Sequence, residues 1–521
     1  MHHVLRRAHA ITLPLRPNHL RIPLTRAMST GARTYGDAID ALNSLQTPFE
    51  VVEARRKAGV RPDEAAIREM RAYLARIGHT PADLSRLNVI HVAGTKGKGT
   101  TCAFTDSILN HHRLASPSAL PRKTGLLISP HLISVRERIR INARPIAEDL
   151  FIRYFWEVWD RLADTPAALP DLAVPGTRPV YARYMTLLAL HAFMREGVDC
   201  AVLETGIGGE YDATNIVEAP VATAVTTLGI DHVFALGDTV EKIAWHKGGI
   251  AKRGCPAFAT EQPYEGALRV LKERAEEKGV ELKVVGIDSR LDGVDIRPAA
   301  AFQKRNASLA IALAETALAT IDSSFRRQDD TLPQSFIDGL EKVQWRGRCE
   351  VKHADGIVWH LDGAHTTDSL KMASRWFVEE SAPRKGPRVL IFNQQGRTEA
   401  IDFLDGLHEG SKREGSTMAY DHVVFCTNVT FSTGYKKDFV NHQYDAKAIA
   451  ALTVQRSFAE KWATLDPAAH VEVKPTIQEA LEYVQTLTAG CSEGESVQAF
   501  ITGSLHLVGG ALEILEGSEA L

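Results

Sequence analysis

The sequence predicts an α/β protein made of two successive doubly wound domains, each around a mainly parallel sheet, the second smaller than the first. Three observations carry this. Short apolar runs such as Cys200–Glu204 and Val221–Thr227 are of the continuous kind that parallel sheets bury on both faces. They alternate with helical stretches, as crossover connections require. The alternation breaks near 343–349, at Gln344-Trp345-Arg346-Gly347-Arg348, and then begins again.

In chain order, Ala38, Ile39, Leu42 and Leu45 fall at helical spacing, and Asp63–Ile77 is a second amphipathic helix opening with Pro62-Asp63-Glu64. Asn88–Ala93 is a strand, Lys98–Asn110 a helix and Gly125–Ser129 a strand. Ala147–Leu162 and Tyr181–Arg195 are helices, and the strands Cys200–Glu204 and Val221–Thr227 follow. Pro263–Lys278 is a charged surface helix and Asn306–Ile321 an alanine-rich one. After the break, strands are expected at Gly356–Leu361, Arg388–Asn393, His422–Thr427 and Ala499–Thr502. Helices near 366–379, 444–462 and 476–488 space them, while 284–300 and 428–443 read as loops. The expected units are a leader, 1–34, an N-terminal domain, 35–343, and a C-terminal domain, 344–521.

Composition narrows the classes. Of 521 residues, 44% are apolar and 24% charged, which excludes a mainly disordered or fibrous chain. No run approaches the roughly 18 apolar residues of a membrane helix. Residues 1–36 hold six arginines (Arg6, Arg7, Arg16, Arg21, Arg26, Arg33) and no acid, and the remainder carries 55 basic against 64 acidic residues. That remainder lacks the basic footprint of a nucleic-acid binder. The acid-free start, broken by Pro14, Pro17 and Pro23, has the composition of a mitochondrial targeting segment. A start at Met28 would give a cytoplasmic form, so mitochondrion (matrix or inner-membrane associated) and cytoplasm are both expected. Cys102, Cys200, Cys255, Cys349, Cys426 and Cys491 are scattered without a CxxC pair, as reduced thiols would be.

The most informative stretch is His91-Val92-Ala93-Gly94-Thr95-Lys96-Gly97-Lys98-Gly99-Thr100-Thr101. A strand runs into a glycine-rich turn and a helix begins at Lys98. Converging amides, the helix dipole and the Lys98 ammonium suit the phosphates of a nucleotide. The spacing is GxxGKGT instead of GxxxxGK[ST], which puts the hydroxyl at Thr100, placed to ligate Mg²⁺. The first domain is therefore expected to be a P-loop-type ATPase domain, and the second Rossmann-like.

This GTKGKGT loop resembles that of the Mur ligase superfamily, and an ordered set of further motifs resembles the folylpolyglutamate synthases within it. The set comprises Tyr35-Gly36-Asp37-Ala38 with Leu42-Asn43-Ser44-Leu45-Gln46-Thr47, Ile128-Ser129-Pro130-His131-Leu132 and Val135-Arg136-Glu137-Arg138-Ile139-Arg140. It continues with Glu204-Thr205-Gly206-Ile207-Gly208-Gly209, Asp212-Ala213-Thr214-Asn215, Asp231-His232, Leu361-Asp362-Gly363-Ala364-His365-Thr366 and Gly503-Ser504-Leu505-His506-Leu507-Val508-Gly509-Gly510. The likeness runs from about 35 to 515.

The resemblance implies a ligase that joins L-glutamate to the γ-carboxylate of a reduced folate through an acyl phosphate, at the expense of ATP. It implies ATP contacts from Gly94, Thr95, Lys96, Gly97, Lys98, Gly99 and Thr100, from Gln303 and Asn306, and from Arg348, Asp362 and His365 of the second domain. Arg346 stands where the family carries proline. Mg²⁺, two ions in the family, would be held by Thr100, Glu204 and His232. Glu204 ends an apolar strand, at the sheet edge where α/β proteins bind ligands. His232 read alone is as compatible with a structural role.

Lys247 matches the lysine that many Mur ligases carry as a carbamate, and an ordinary phosphate-facing lysine is the alternative. Lys98, Lys247, Glu204 and His232 form the expected catalytic set. Ser129, Pro130 and His131 are expected by the folate, although His131 could instead cap a loop. Ser504 and His506 are expected by the glutamate. A monovalent cation such as K⁺ fits the same picture, as does a monomer. The rival readings are a dihydrofolate synthase or bifunctional enzyme on the same scaffold, a nucleotide-driven switch ATPase and a pure binding protein.

Overall fold

The computed structural model describes residues 33–164, 178–395, 398–412 and 419–517. Five of the six leader arginines and Met28 lie outside the described residues. Within them, no helix is long and apolar enough to cross a membrane.

The chain forms two sheets. The first has eight strands, β1 (Ile90–Ala93), β2 (Thr124–Leu127), β3 (Ile139–Ile141), β4 (Arg144–Pro145), β5 (Cys200–Glu204), β6 (Ala222–Val225), β7 (Ala257–Thr260) and β8 (Leu282–Val285), in the order β4-β3-β2-β5-β1-β6-β7-β8. All neighbours are parallel except the β2–β3 and β3–β4 pairs. The second has six strands, β9 (Glu350–Ala354), β10 (Ile357–Asp362), β11 (Arg388–Phe392), β12 (His422–Cys426), β13 (His470–Lys474) and β14 (Val497–Thr502), in the order β13-β12-β11-β14-β10-β9. There only β9 runs antiparallel.

Strand order explains the site. β1 lies between β5 and β6, with Val92 opposite Glu204 and Ala93 opposite Val225, and β2 flanks β5. Four segments distant in sequence therefore end side by side: the glycine turn after β1, Ser129 after β2, Glu204 closing β5, and the 226–232 turn after β6. Crossover helices bury both faces of these short strands, which is why they read as unbroken apolar runs. The helix Lys98–Ala115 packs with Gln303–Ile321 and Gln334–Glu341 on one face; Glu148–Asp164 and Tyr181–Glu196 cover the other.

Several elements depart from the sequence expectation. The β3–β4 hairpin, β7, β8, β9 and β13 were not expected, nor were the helices Phe49–Lys57, Phe403–Ser411 and Leu505–Glu516. Most of the strands are short, and β8 and β13 are only half-buried, so they present no continuous apolar run.

The two lobes are joined by more than the linker. Leu132 and Ile133, in the first half of the chain, are buried in the core of the second sheet with Leu507 and Val508. A Cβ on Gly509 would stand 1.8 Å from the Leu132 carbonyl, so only glycine permits this approach. Asp438, in the segment 428–443, accepts from the Tyr35 hydroxyl at 2.7 Å and the Val135 amide at 2.8 Å. Around it the Asn43 amide donates to the Lys437 carbonyl (3.0 Å) and Gln46 donates to the Val440 carbonyl (2.8 Å). The opening helix Tyr35–Asn43 thus clamps the second lobe to the first. Asp438→Ala strands a half-buried phenol and a buried amide and is expected to cost about 2–3 kcal/mol, measured as a lower urea midpoint, with Tyr35→Phe costing about half as much. An unchanged midpoint in both would refute the clamp.

Candidate active site

The glycine turn is shaped by what faces it. Gly94 has φ 150°, and a Cβ there would lie 1.8 Å from Thr226 Oγ1; Gly97 has φ 82°, and a Cβ there would lie 2.4 Å from Asn306 Oδ1. The Thr95 and Lys96 amides both donate to the Thr227 carbonyl, at 3.1 and 3.0 Å, and the Thr95 hydroxyl donates to the Gly229 carbonyl at 3.1 Å. The turn is therefore stitched to the end of β6. These two amides are spent on protein, which leaves the anion-binding work to the first turn of the helix that Gly97 caps, where N–H groups have no intrahelical acceptor. Gln303 and Asn306 are buried beneath, with Asn306 Nδ2 donating to Gln303 Oε1 at 2.7 Å.

Charged groups converge at the same strand ends. Lys98 Nζ lies 4.0 Å from Glu204 Oε1, and the Ser129 amide donates to Glu204 Oε2 at 3.0 Å. Burial raises the Glu204 pKa, opposed by Lys98, the Ser129 amide and Arg348. Arg348 comes from the other lobe, so the charge around Glu204 is shared between the two lobes. Lys96, by contrast, reaches out of the turn to pair with Asp368 at the start of the helix Thr367–Ser381 in the second lobe.

Lys247 is almost fully buried and donates to the Gly94 carbonyl at 2.7 Å. Burial and the nearby Lys98 pull its pKa down to about 7, against the attraction of Asp231, Asp212 and Glu204. In the unfolded chain the pKa is near 10.5, so between these values the unfolded state holds the extra proton and stability rises with pH. Relative to Lys247→Met, wild-type stability is expected to gain up to about 1 kcal/mol per pH unit from pH 7 upward. Chemical denaturation of both proteins across that range measures it; a flat difference would show that the amine is not held neutral.

His232 adopts φ 49° at the start of a short helix, a left-handed conformation uncommon for histidine, and its Nε2 lies 3.8 Å from Asp231 Oδ2. Strained backbone of this kind concentrates at functional sites. The Glu204 carboxylate, Thr100 hydroxyl and His232 imidazole are each chemically fit to ligate a hard divalent ion. Among the described residues no group of three or more His, Cys, Asp or Glu side chains converges tightly enough to hold a metal by itself.

In the second lobe, Asp362 ends β10 and is buried. It accepts from the Cys349 amide through Oδ2 and from the Ala364 amide through Oδ1, both at 2.9 Å, which fixes the turn carrying Arg348. Burial raises its pKa and Arg348 lowers it. His365 Nδ1 is paired with the Gly363 carbonyl at 3.0 Å. A Cβ at Gly99 would meet the Trp345 ring at 3.0 Å, so the linker tryptophan sits against the helix start. A cavity of about 690 Å³ opens beyond it, against Trp345, Arg348 and Trp376; neither Gln303 nor Asn306 lines it.

His131 Nε2 donates to the Asp438 carbonyl at 3.0 Å and its Nδ1 accepts from Arg138 Nε at 2.9 Å. Both ring nitrogens are occupied and burial holds the ring neutral, so His131 cross-links the two lobes. Ser129 belongs with Glu204, and cis-Pro130 carries the chain on from it to His131. Ser504 caps the helix Leu505–Glu516 by accepting from the His506 amide at 3.1 Å. The His506 ring lies 6.2 Å from that of His131, with its pKa pushed down to about 4 by burial. Sequence reasoning missed Asp368, Asp438 and Thr226, which bear no recognisable motif and matter through long-range contacts, and it gave no role to Arg138, whose motif does not say that it holds His131.

No protein-family model matches the chain. It is 60% identical to a folylpolyglutamate synthase of Neurospora crassa over 532 residues, covering 100% of both chains. It is 43% identical over 492 residues to a Saccharomyces cerevisiae folylpolyglutamate synthase, covering 93% of this chain and 87% of the relative. Among solved structures it matches Mycobacterium tuberculosis folylpolyglutamate synthase complexed with ADP, with a TM-score of 0.68 at 22% identity, over 92% of this chain and 99% of the other; this likeness speaks to fold. Full-length identity at this level, on a chain whose strand ends gather the glycine turn, Lys98 and Glu204, places the protein in the folylpolyglutamate synthase family.

Proposed function

We propose that the chain adds L-glutamate to the γ-carboxylate of a reduced folate, consuming ATP and releasing ADP and phosphate. The carrying observation is the convergence of Lys98, Glu204 and Lys247 on the first lobe with Arg348 facing them from the second. In this reading a folate γ-carboxylate oxygen attacks the γ-phosphorus of ATP as the bond to ADP breaks. The glutamate amine then attacks the acyl-phosphate carbonyl, loses a proton, and phosphate departs as the amide forms.

Neither step needs a protein nucleophile; both need alignment and charge stabilisation. Lys98 and the first-turn amides hold the phosphates, and Arg348 neutralises charge from the opposite lobe. Thr100, Glu204 and His232 would hold Mg²⁺, which neutralises phosphate charge when bound. A neutral Lys247 amine at physiological pH is chemically competent to take up CO₂, which supports the carbamate reading. The crevice between the lobes excludes water from the acyl phosphate.

The test offers tetrahydrofolate and dihydropteroate as alternative acceptors with labelled L-glutamate. Label on tetrahydrofolate is expected; label on dihydropteroate alone would reassign the chain to the dihydrofolate synthase reaction. Lys96→Ala and Asp368→Asn should each cost less than about 1 kcal/mol in stability, because the pair is partly exposed. A larger loss in urea unfolding would show that this pair holds the lobes together.

A further inference from the structure

A second cavity, of about 170 Å³, shares Val343 and Gln344 with the first, but none of Lys98, Glu204, Lys247 or Arg348 lines it. Its floor is one stripe of the helix Lys98–Ala115, formed by Ala103, Asp106 and Asn110. Its charged walls are Arg140 of β3, Arg144 of β4 and Lys342 at the start of the interdomain linker, and the rest of its lining is neutral apart from His111.

The chemistry of its lining is unusual. Asp106 is 2% exposed and Arg140 5% exposed. Asp106 Oδ1 is buried with no hydrogen-bond partner, a state that folded proteins avoid. Arg140 directs its Nε to the Glu137 carbonyl at 3.4 Å and lays its guanidinium over the Trp345 ring at 5.2 Å, forming no ion pair with Asp106. Lys342 is paired with Asp338 at 3.1 Å, and Arg113 is occupied by Asn110 Oδ1 at 2.7 Å. A buried carboxylate and a buried guanidinium thus face one space without meeting. Burial raises the Asp106 pKa to about 6, and Thr124, Arg140 and Arg113 counter it only in part.

The space is roughly five to six times the volume share of one water, more than is needed to bridge a single orphaned oxygen. A simple anion would be repelled by Asp106, and a simple cation by Arg140 and Arg144. We propose that this cavity binds a small amino-acid zwitterion, its ammonium on Asp106 and its carboxylate on Arg140, at a site separate from the one that performs the reaction. Because the walls include the phosphate-turn helix and the linker, an occupant would tie the two together.

Calorimetry of the full-length protein with L-glutamate, in the absence of ATP and folate, tests this. Wild type should bind, Asp106→Asn should bind at least about tenfold more weakly because a charged hydrogen bond is lost, and Ala103→Met, which fills the space, should not bind there. 2-Oxoglutarate, which lacks the ammonium, should not substitute. Equal binding by wild type and both variants, or equal binding of 2-oxoglutarate, would overturn the proposal. Should the variants fail to fold, a wild-type crystal soaked in L-glutamate decides directly: density bridging Asp106 and Arg140 supports the site, and water alone refutes it.

Discussion

Lys98→Ala is expected to lower kcat by about 10²- to 10³-fold, the usual cost of removing one preorganised charge from a transition state. Its Nζ stands at the first turn of the phosphate helix, 4.0 Å from Glu204, with 16% of the side chain exposed. At 4.0 Å from Glu204 it makes no hydrogen bond there, so its contribution to folding is expected to be small, about 1 kcal/mol or less. Activity and stability should therefore separate: near-wild-type urea unfolding with little turnover. Steady-state assays at saturating tetrahydrofolate, glutamate and ATP measure the loss. Turnover within a few-fold of wild type would remove Lys98 from the chemistry and, with it, the assignment of the glycine turn as the phosphate site.

Gly94→Ala should be damaging for a different reason. The new methyl would stand 1.8 Å from Thr226 Oγ1, 2.9 Å from Thr226 Cβ and 3.1 Å from Thr226 N, at φ 150°. Truncating Thr226 to alanine removes the first contact and leaves the other two, so the double variant should recover little. A shift of the turn also breaks the Lys247 bond to the Gly94 carbonyl and the donation of Thr95 and Lys96 to Thr227. The expected loss is about 2–4 kcal/mol, from overpacking and backbone strain together, with activity falling in parallel. Thermal unfolding and ATP-dependent glutamate incorporation check it. A stable, active Gly94→Ala protein would mean that the turn is not held as described.

These two positions also mark what could be read without coordinates. The glycine turn, Glu204 at the end of β5 and the break near 344–348 are local: a strand, a turn and a helix follow one another within a few residues. Propensity and apolar runs report such order directly. The expected strand Cys200–Glu204 and the observed β5 coincide. The β3–β4 hairpin escaped because one or two residues per face make no pattern, and β13 because only Val471 and Val473 mark its apolar face. Segment 428–443 reads correctly as irregular, yet it carries Asp438, whose partners Tyr35 and Val135 are separated from it by 403 and 303 residues.

His131 shows the same limit from the other side. Its motif marks it as important, but only its neighbours say how: with Asp438 and Arg138 on its two nitrogens it holds the lobes together. The chain alone determined the α/β alternation, the phosphate turn and the family resemblance, since each depends on residues adjacent along the backbone. The tertiary structure decided which strand ends share an edge, which buried groups pair across the lobes, and that Asp106 and Arg140 face one cavity. Those depend on strand order and on contacts between distant segments, and neither leaves a period in the sequence.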